Sequence, residues 1–395
     1  MAKIIMHIDL NAFFANAELL RHKEYIGKPI AVGGSSRRGV ISTASYEARA
    51  YGVKSAMPLY LAKRLCPDLI VIPGDHKYYL ELSNKFFSYI KKHCSEVIEV
   101  ASIDECFVDM TLAMKDVKDP YKYLKDLQLD LKKETGLSCS IGLGPTKFLA
   151  KMGSDYKKPM GITIIRKRDI KKILYPLPIG DMYGVGKKTI VKLQKFGIYK
   201  IGDFAIREDD ELKKLLGKMY FVLKDWINGL GDNTVSDMES DPKSISTSST
   251  FMYDTASYDE LTTMLKRQSI SVGKELNKKN MIGLTVHLTL RDSEFKTITR
   301  SHTIEQPIKD ADDVYLQVMK LFDKYWNGNE IRLIGVGVSS LHNKENFVSQ
   351  LNLFTIEKDI EECKTRLLIN ELNRKQDKEL FMTLKDYKKK KEEEK

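Results

Sequence analysis

Long apolar runs are missing from this chain. No stretch approaches the roughly 18 consecutive apolar residues of a membrane-spanning helix. The N-terminus opens on a run broken by Lys3, His7 and Asp9, not on a charged segment followed by an apolar one. These two absences lead us to expect a cytoplasmic protein that is neither secreted nor membrane-spanning. Cysteine is also scarce. The five residues, Cys66, Cys94, Cys106, Cys139 and Cys363, are odd in number and widely spaced, with no Cys-x-x-Cys pair and no histidine at zinc-ligand spacing. That pattern excludes a disulfide scaffold and a zinc ribbon, and fits reduced thiols. No internal repeat is present, and the only low-complexity run is the charged Lys-Lys-Lys-Lys-Glu-Glu-Glu-Lys at the extreme C-terminus.

What is present is length, ordinary hydrophobicity and positive charge. A chain of 395 residues with 42% hydrophobic content can build two to four domains with real cores. A net charge of +11 points to an anionic partner, most often nucleic acid.

Strand-like and helical patterns alternate in the first 165 residues: a buried strand over 3–9, a helix from Ala12 to Leu20, and a mixed stretch from Pro29 to Pro73. A helix over about Tyr78 to His93, a hairpin around Asp104-Glu105, a helix near Tyr121 to Thr135 and a strand over Leu137 to Gly142 follow. This alternation predicts an α/β sheet domain with a small inserted subdomain. Residues 166 to about 230 change to short helical pieces punctuated by glycine. There Gly184-Val185-Gly186 leads into a helix carrying Lys187 and Lys188, similar to a helix-hairpin-helix, whose backbone N–H groups bind a DNA phosphate. Polar residues 232–243 read as a linker. From Ser244 the order strand, helix, two strands, helix, strand predicts a β-α-β-β-α-β unit, an open sheet with helices on one face.

Chemistry is suggested by acidic residues at strand ends. Asp9 closes the first apolar run, and Asp104-Glu105 sits between two further runs. Adjacent strands lie about 4.8 Å apart, so these carboxylates can converge on a metal-sized volume. A pair of Mg²⁺ ions about 3.5–4 Å apart needs roughly three such groups, and phosphoryl transfer is the chemistry they serve. Thr43, Tyr46 and Arg49 follow at offsets of three, one face of a helix, and could grip a triphosphate. Lys158, beside Pro159, offers a point charge for β- and γ-phosphate oxygens.

The segments Asp9-Leu-Asn-Ala-Phe-Phe14, Gly39-Val-Ile-Ser-Thr-Ala-Ser-Tyr-Glu-Ala-Arg49, Ser102-Ile-Asp-Glu105 and Lys157-Lys-Pro-Met-Gly161, in this order and spacing, resemble the Y-family DNA polymerases, in their bacterial polymerase IV branch. The resemblance covers about residues 1–355. It implies a right-hand polymerase: a palm over 1–18 and 75–165, fingers over 19–74, a helix-hairpin-helix thumb over 166–231, a linker over 232–243 and a little finger over 244–341. Asp9, Asp104 and Glu105, with the carbonyl of Leu10, would hold two Mg²⁺ ions for in-line attack of a primer 3′-hydroxyl on a dNTP. Pyrophosphate would leave toward Tyr46, Arg49 and Lys158. Phe14 falls at the family's steric gate against ribose, with Phe13 beside it on a packing face. Two positions depart from the branch: Cys106 stands where a small residue is common, and Glu47 where proline is.

Gln350-Leu351-Asn352-Leu353-Phe354 resembles the peptide by which bacterial polymerases bind the sliding clamp, with Gln350 at a pocket rim and Leu353 and Phe354 filling it. The residues beyond 354 carry an apolar stripe, Ile360, Cys363, Leu367 and Leu372, that suits a helix docking back on the protein. The expected activity is error-prone translesion synthesis on primer-template DNA by a monomer without a proofreading segment. A palm-type nucleotidyl cyclase would share the strand-end carboxylates but need neither thumb nor clamp peptide. A DNA-binding scaffold with a decayed site would not need the charges at Asp9, Asp104, Glu105, Arg49 and Lys158.

Overall fold

A computed structural model describes residues 3–34, 36–238, 241–308, 310–345 and 347. The chain divides after residue 240 into two compact units.

In the first unit, β1 (Ile5–Leu10) is buried at every position, and α1 (Phe13–Arg21) follows directly. A small sheet comes next: β2 (Ile30–Gly33), β3 (Ile41–Ala44), α2 (Tyr46–Ala50), α3 (Leu59–Leu65) and β4 (Ile70–Ile72). Its strand order is β3-β2-β4, with β2 parallel to β4. The chain returns through α4 (His76–His93), β5 (Ile98–Val100), β6 (Glu105–Asp109), α5 (Pro120–Thr135), β7 (Cys139–Gly144), α6 (Lys147–Tyr156) and β8 (Ile162–Ile164). These complete a five-stranded sheet of order β5-β6-β1-β7-β8, with β1 central and antiparallel to both neighbours.

The period-2 alternation of a strand divides β1 between two layers. Met6, Ile8 and Leu10 join Tyr79, Phe86 and Leu124 in the main core with α4 and α5. Ile5 lies on the other face with Phe107 and Ala150, the latter on α6; His7 and Asp9 share its side of the pleat. α6 lies unusually close to the sheet because Gly142 has no side chain. A Cβ there would stand 1.9 Å from the Ala150 carbonyl oxygen.

Five helices, α7 (Ile170–Ile173), α8 (Lys187–Lys195), α9 (Ile201–Ile206), α10 (Asp210–Leu216) and α11 (Lys218–Ile227), enclose a separate core built on Phe148, Leu149 and Met152 of α6. Residues 232–238 form no helix or strand, as their polar composition suggests, yet they are tied down. The Lys147 ammonium bridges Glu99 and Asp232, each at 2.7 Å, and Val235 packs on Ile5 and Phe107.

The second unit follows the sequence pattern closely: β9 (Ser244–Thr255), α12 (Tyr258–Lys278), β10 (Met281–Asp292), β11 (Thr297–Ile308), α13 (Ala311–Tyr325) and β12 (Ile331–Asn343). Its sheet order is β11-β10-β12-β9, antiparallel throughout. Leu261, Leu265 and Val272 of α12 and Val314, Val318 and Phe322 of α13 cover Val286, Leu288, Ile334, Val336 and Val338. The opposite face carries the alternating partners His287, Thr289, Arg291 and Ser339, beside Ser246 and Ser248.

Candidate active site

Strand register brings the acidic residues together. Asp9 pairs with Glu105 across β1 and β6, and the Leu10 N–H donates to the Asp104 carbonyl at 2.9 Å. Asp9 is buried, while Asp104 and Glu105 are half-buried. The Ser102 hydroxyl donates to Asp104 at 2.5 Å. Burial raises the pKa of Asp104; Ser102 opposes this, and the negative charges of Asp9 and Glu105 add to it.

Two ammonium groups lie among these carboxylates. Lys158 Nζ is 2.6 Å from Asp9 Oδ1 and 2.9 Å from Asp155. Lys151, on α6, stands 3.2 Å from Asp9 Oδ2, 2.7 Å from Glu105 and 3.3 Å from Asp155. Asp9 is therefore held through both oxygens. Sequence reasoning found Lys158 and missed Lys151. The available signal was a lysine on a short helix that is otherwise largely apolar on its buried face, followed one turn later by Asp155.

His7 was missed as well. It lies two residues before Asp9 on the same side of β1, fully buried, with Nδ1 2.7 Å from Ser154 Oγ and Nε2 3.4 Å from Glu105. Burial lowers its pKa, so the ring is neutral at pH 7. Glu105 is held well below the usual carboxylate range, first by this imidazole edge and, against the cost of burial, also by Lys151.

The candidate nucleotide residues divide. Thr43 does not share a helical face with Tyr46 and Arg49, because it lies on β3, opposite Val32. The β-branched Ile41 and Thr43 favour a strand that completes the small sheet, and the helix starts only after Ser45, whose hydroxyl accepts from the Ala48 N–H. Tyr46 and Arg49 do meet, with the guanidinium carbon 4.8 Å from the ring centroid. The Tyr46 hydroxyl is buried without a hydrogen-bond partner among the described residues, and burial raises its pKa.

Phe13 is buried in the main core. Phe14 is half-buried and stacks on Tyr79, with centroids 4.4 Å apart and planes at 15°. Tyr79 in turn donates its hydroxyl to the buried Glu18 at 2.5 Å. The backing ring and its acid are a second pair that sequence reasoning missed.

Gly184 adopts φ 89°, where a Cβ would stand 3.0 Å from the Trp226 ring. Gly186 is the N-cap of α8, and Lys187 and Lys188 are exposed on its first turn. The expected clamp peptide, Gln350, Leu351, Leu353 and Phe354, lies outside the described residues, as does the apolar stripe of the tail. A further group of possible ligands, His93, Asp130 and Glu134, brings its ligand atoms within 4.8 Å of one another on the α4–α5 surface.

The carboxylates fit hard cations. Among the described residues of this cluster, the four carboxylates Asp9, Asp104, Glu105 and Asp155 face the two ammonium groups of Lys151 and Lys158, so acidic groups outnumber basic ones by two. Oxygen donors of this kind suit Mg²⁺.

Comparison with known proteins finds relatives over most of the chain. Residues 8–155 match the impB/mucB/samB family, 242–353 its C-terminal domain and 167–198 the IMS family HHH motif. DNA polymerase IV of Bacillus velezensis is 42% identical over 376 residues, which cover 94% of this chain and 90% of that protein. DNA polymerase IV 1 of Bacillus subtilis is 40% identical over 387 residues, covering 95% and 91%. A solved Y-family DNA polymerase chimera of Dbh and Dpo4 has a TM-score of 0.75 at 26% identity, covering 85% of this chain and 98% of its own. DinB from Sulfolobus solfataricus, with the same identity and coverage, has a TM-score of 0.57. With three segments matched in order and relatives spanned nearly end to end, the chain belongs to the impB/mucB/samB family, that of the Y-family DNA polymerases.

Proposed function

We propose that this protein is a template-directed, error-prone DNA polymerase of the polymerase IV type, which extends a primer 3′-hydroxyl with dNTPs and accepts damaged templates. The observation that carries the reading is the convergence of Asp9, Asp104 and Glu105 at adjoining strand ends, where acidic groups outnumber basic ones. Relatives named DNA polymerase IV support it. Divalent-metal dependence comes with the family; two Mg²⁺ ions at Asp9, Asp104, Glu105 and the Leu10 carbonyl are our assignment. Bound there, they would supply Lewis-acid stabilisation of charge on the primer oxygen and the phosphates.

The other residues bind and orient. Arg49 and Lys158 provide cationic groups for the triphosphate, and the Tyr46 hydroxyl is a donor awaiting an acceptor. Thr43 lies next to this group in sequence, on β3. The Phe14 ring, backed by Tyr79, walls the sugar side against a 2′-hydroxyl. Gly184, Gly186, Lys187 and Lys188 suit a DNA phosphate at the start of α8. We assign residues 1–18 and 75–165 as palm, 19–74 as fingers, 166–231 as thumb, 232–243 as linker and 244–341 as little finger. Gln350, Leu351, Leu353 and Phe354 would recruit the protein to a sliding clamp, and we expect a monomer in the cytoplasm. Among the described residues no helix is long and apolar enough to cross a membrane. Templated primer extension with Mg²⁺, and its loss on removing the carboxylates, tests this reading.

A further inference from the structure

Lys151 has no place in the set of residues that would hold metal, nucleotide or DNA, yet it makes more ionic contacts in the centre than Lys158 does. Its ammonium touches Asp9, Glu105 and Asp155, and its side chain is only 12% exposed. Two features of the sequence put it there. Gly142, together with Gly153 of α6, lets the helix backbone settle onto the sheet, with a Gly153 Cβ position 3.0 Å from the Gly142 Cα. Asp155, one turn beyond Lys151, tethers the ammonium from the solvent side. Burial disfavours the charge, but Asp155, Asp9 and Glu105 outweigh it and keep the lysine protonated.

We propose that Lys151 is the resident counter-ion of the carboxylate centre, a positioning residue that holds Asp9 and Glu105 together and that divalent cations must partly displace on entry. The inference rests on the polymerase reading and adds a competitor to it. One ammonium contacts the two carboxylates that arrive on different strands, so the cradle is assembled before metal arrives. A cation bound to the same two groups would share their negative charge with Lys151 and be repelled by it. Lys151 thus keeps the site organised and its intrinsic metal affinity low.

The test is direct Mn²⁺ binding, followed by electron paramagnetic resonance of free Mn²⁺, on the full chain without DNA or nucleotide. Lys151→Met should bind Mn²⁺ about tenfold tighter or more, as expected from removing a unit charge a few ångströms from a divalent ion. Lys151→Gln, which still donates a hydrogen bond to Glu105 without the charge, should do the same and serves where the Met variant does not fold. Lys151→Arg should restore the weaker wild-type affinity, which a merely structural role would not require. Unchanged or weaker binding in a folded neutral variant overturns the proposal. Asp104→Ala/Glu105→Ala separates the two ideas: undiminished Mn²⁺ binding in this variant, unaltered when Lys151→Met is added, places the metal elsewhere, as at His93, Asp130 and Glu134, and defeats the underlying site assignment instead.

Discussion

Removing the phenyl ring of Phe14 should open the enzyme to ribonucleotides. The ring is not free to swing away from an added hydroxyl. It lies stacked on Tyr79 at 4.4 Å, meets His76 edge-on at 5.8 Å, and its backing ring is held by the hydroxyl bond to Glu18. Forcing an extra group against such a fixed surface resembles overpacking a core, which costs about 1–3 kcal/mol. At about 1.4 kcal/mol per factor of ten, that is roughly a 5- to 150-fold preference for deoxyribose from this contact. The assay is single-nucleotide insertion on one primer-template, comparing kcat/KM for a dNTP and the matching rNTP. Phe14→Ala should reduce their ratio by that factor, mainly by improving rNTP insertion. The variant should also lose the about 0.5–1.5 kcal/mol of the aromatic pair on top of the burial of the ring itself, which a denaturant titration reads separately. Tyr79→Phe, which keeps the backing ring, should retain most of the discrimination. An unchanged ratio in folded Phe14→Ala would refute the placement of this ring at the sugar.

His7 predicts an acid-side loss of stability in the metal-free protein. Its folded pKa lies below the usual 6.5 because of burial, so the unfolded chain binds the proton more readily. Its effect on stability is absent above pH 6.5, and stability falls as pH drops from there toward the folded pKa, by at most about 1.4 kcal/mol per pH unit. His7→Gln should flatten that slope in denaturant titrations between pH 7 and 5; an identical slope would show that other groups set it. Replacing Gln350, Leu353 and Phe354 together by Ala should abolish clamp-stimulated synthesis while leaving unstimulated extension intact. Retained stimulation would count against the peptide.

Where one pattern determined the structure, sequence was enough. The second unit alternates apolar and polar residues over long strands and carries apolar faces on two long helices, so its order was readable element by element. Asp9 was conspicuous because a carboxylate ending a buried strand needs a compensating group. Of the groups around it, Lys158 was readable from its motif, whereas Lys151 and His7 were not, since they reach the centre through a register and a helix-to-sheet distance that two glycines set. Tyr79 and Glu18 were hidden for a similar reason: each looks like an ordinary helix residue until α1 and α4 pack. Thr43 was misplaced because a spacing of three is shared by helices and by chance. The β-branched residues around it favoured a strand, and pairing with β2 decided the matter.

The most direct test of the central claim is single-nucleotide extension of a primed template with Mg²⁺, comparing the intact protein with Asp104→Ala/Glu105→Ala. The intact protein should add the nucleotide that the template base specifies, and the double variant should bind the same DNA without extending it. Equal extension by both, or none by the intact protein despite tight DNA binding, would contradict the assignment of these carboxylates as a polymerase centre.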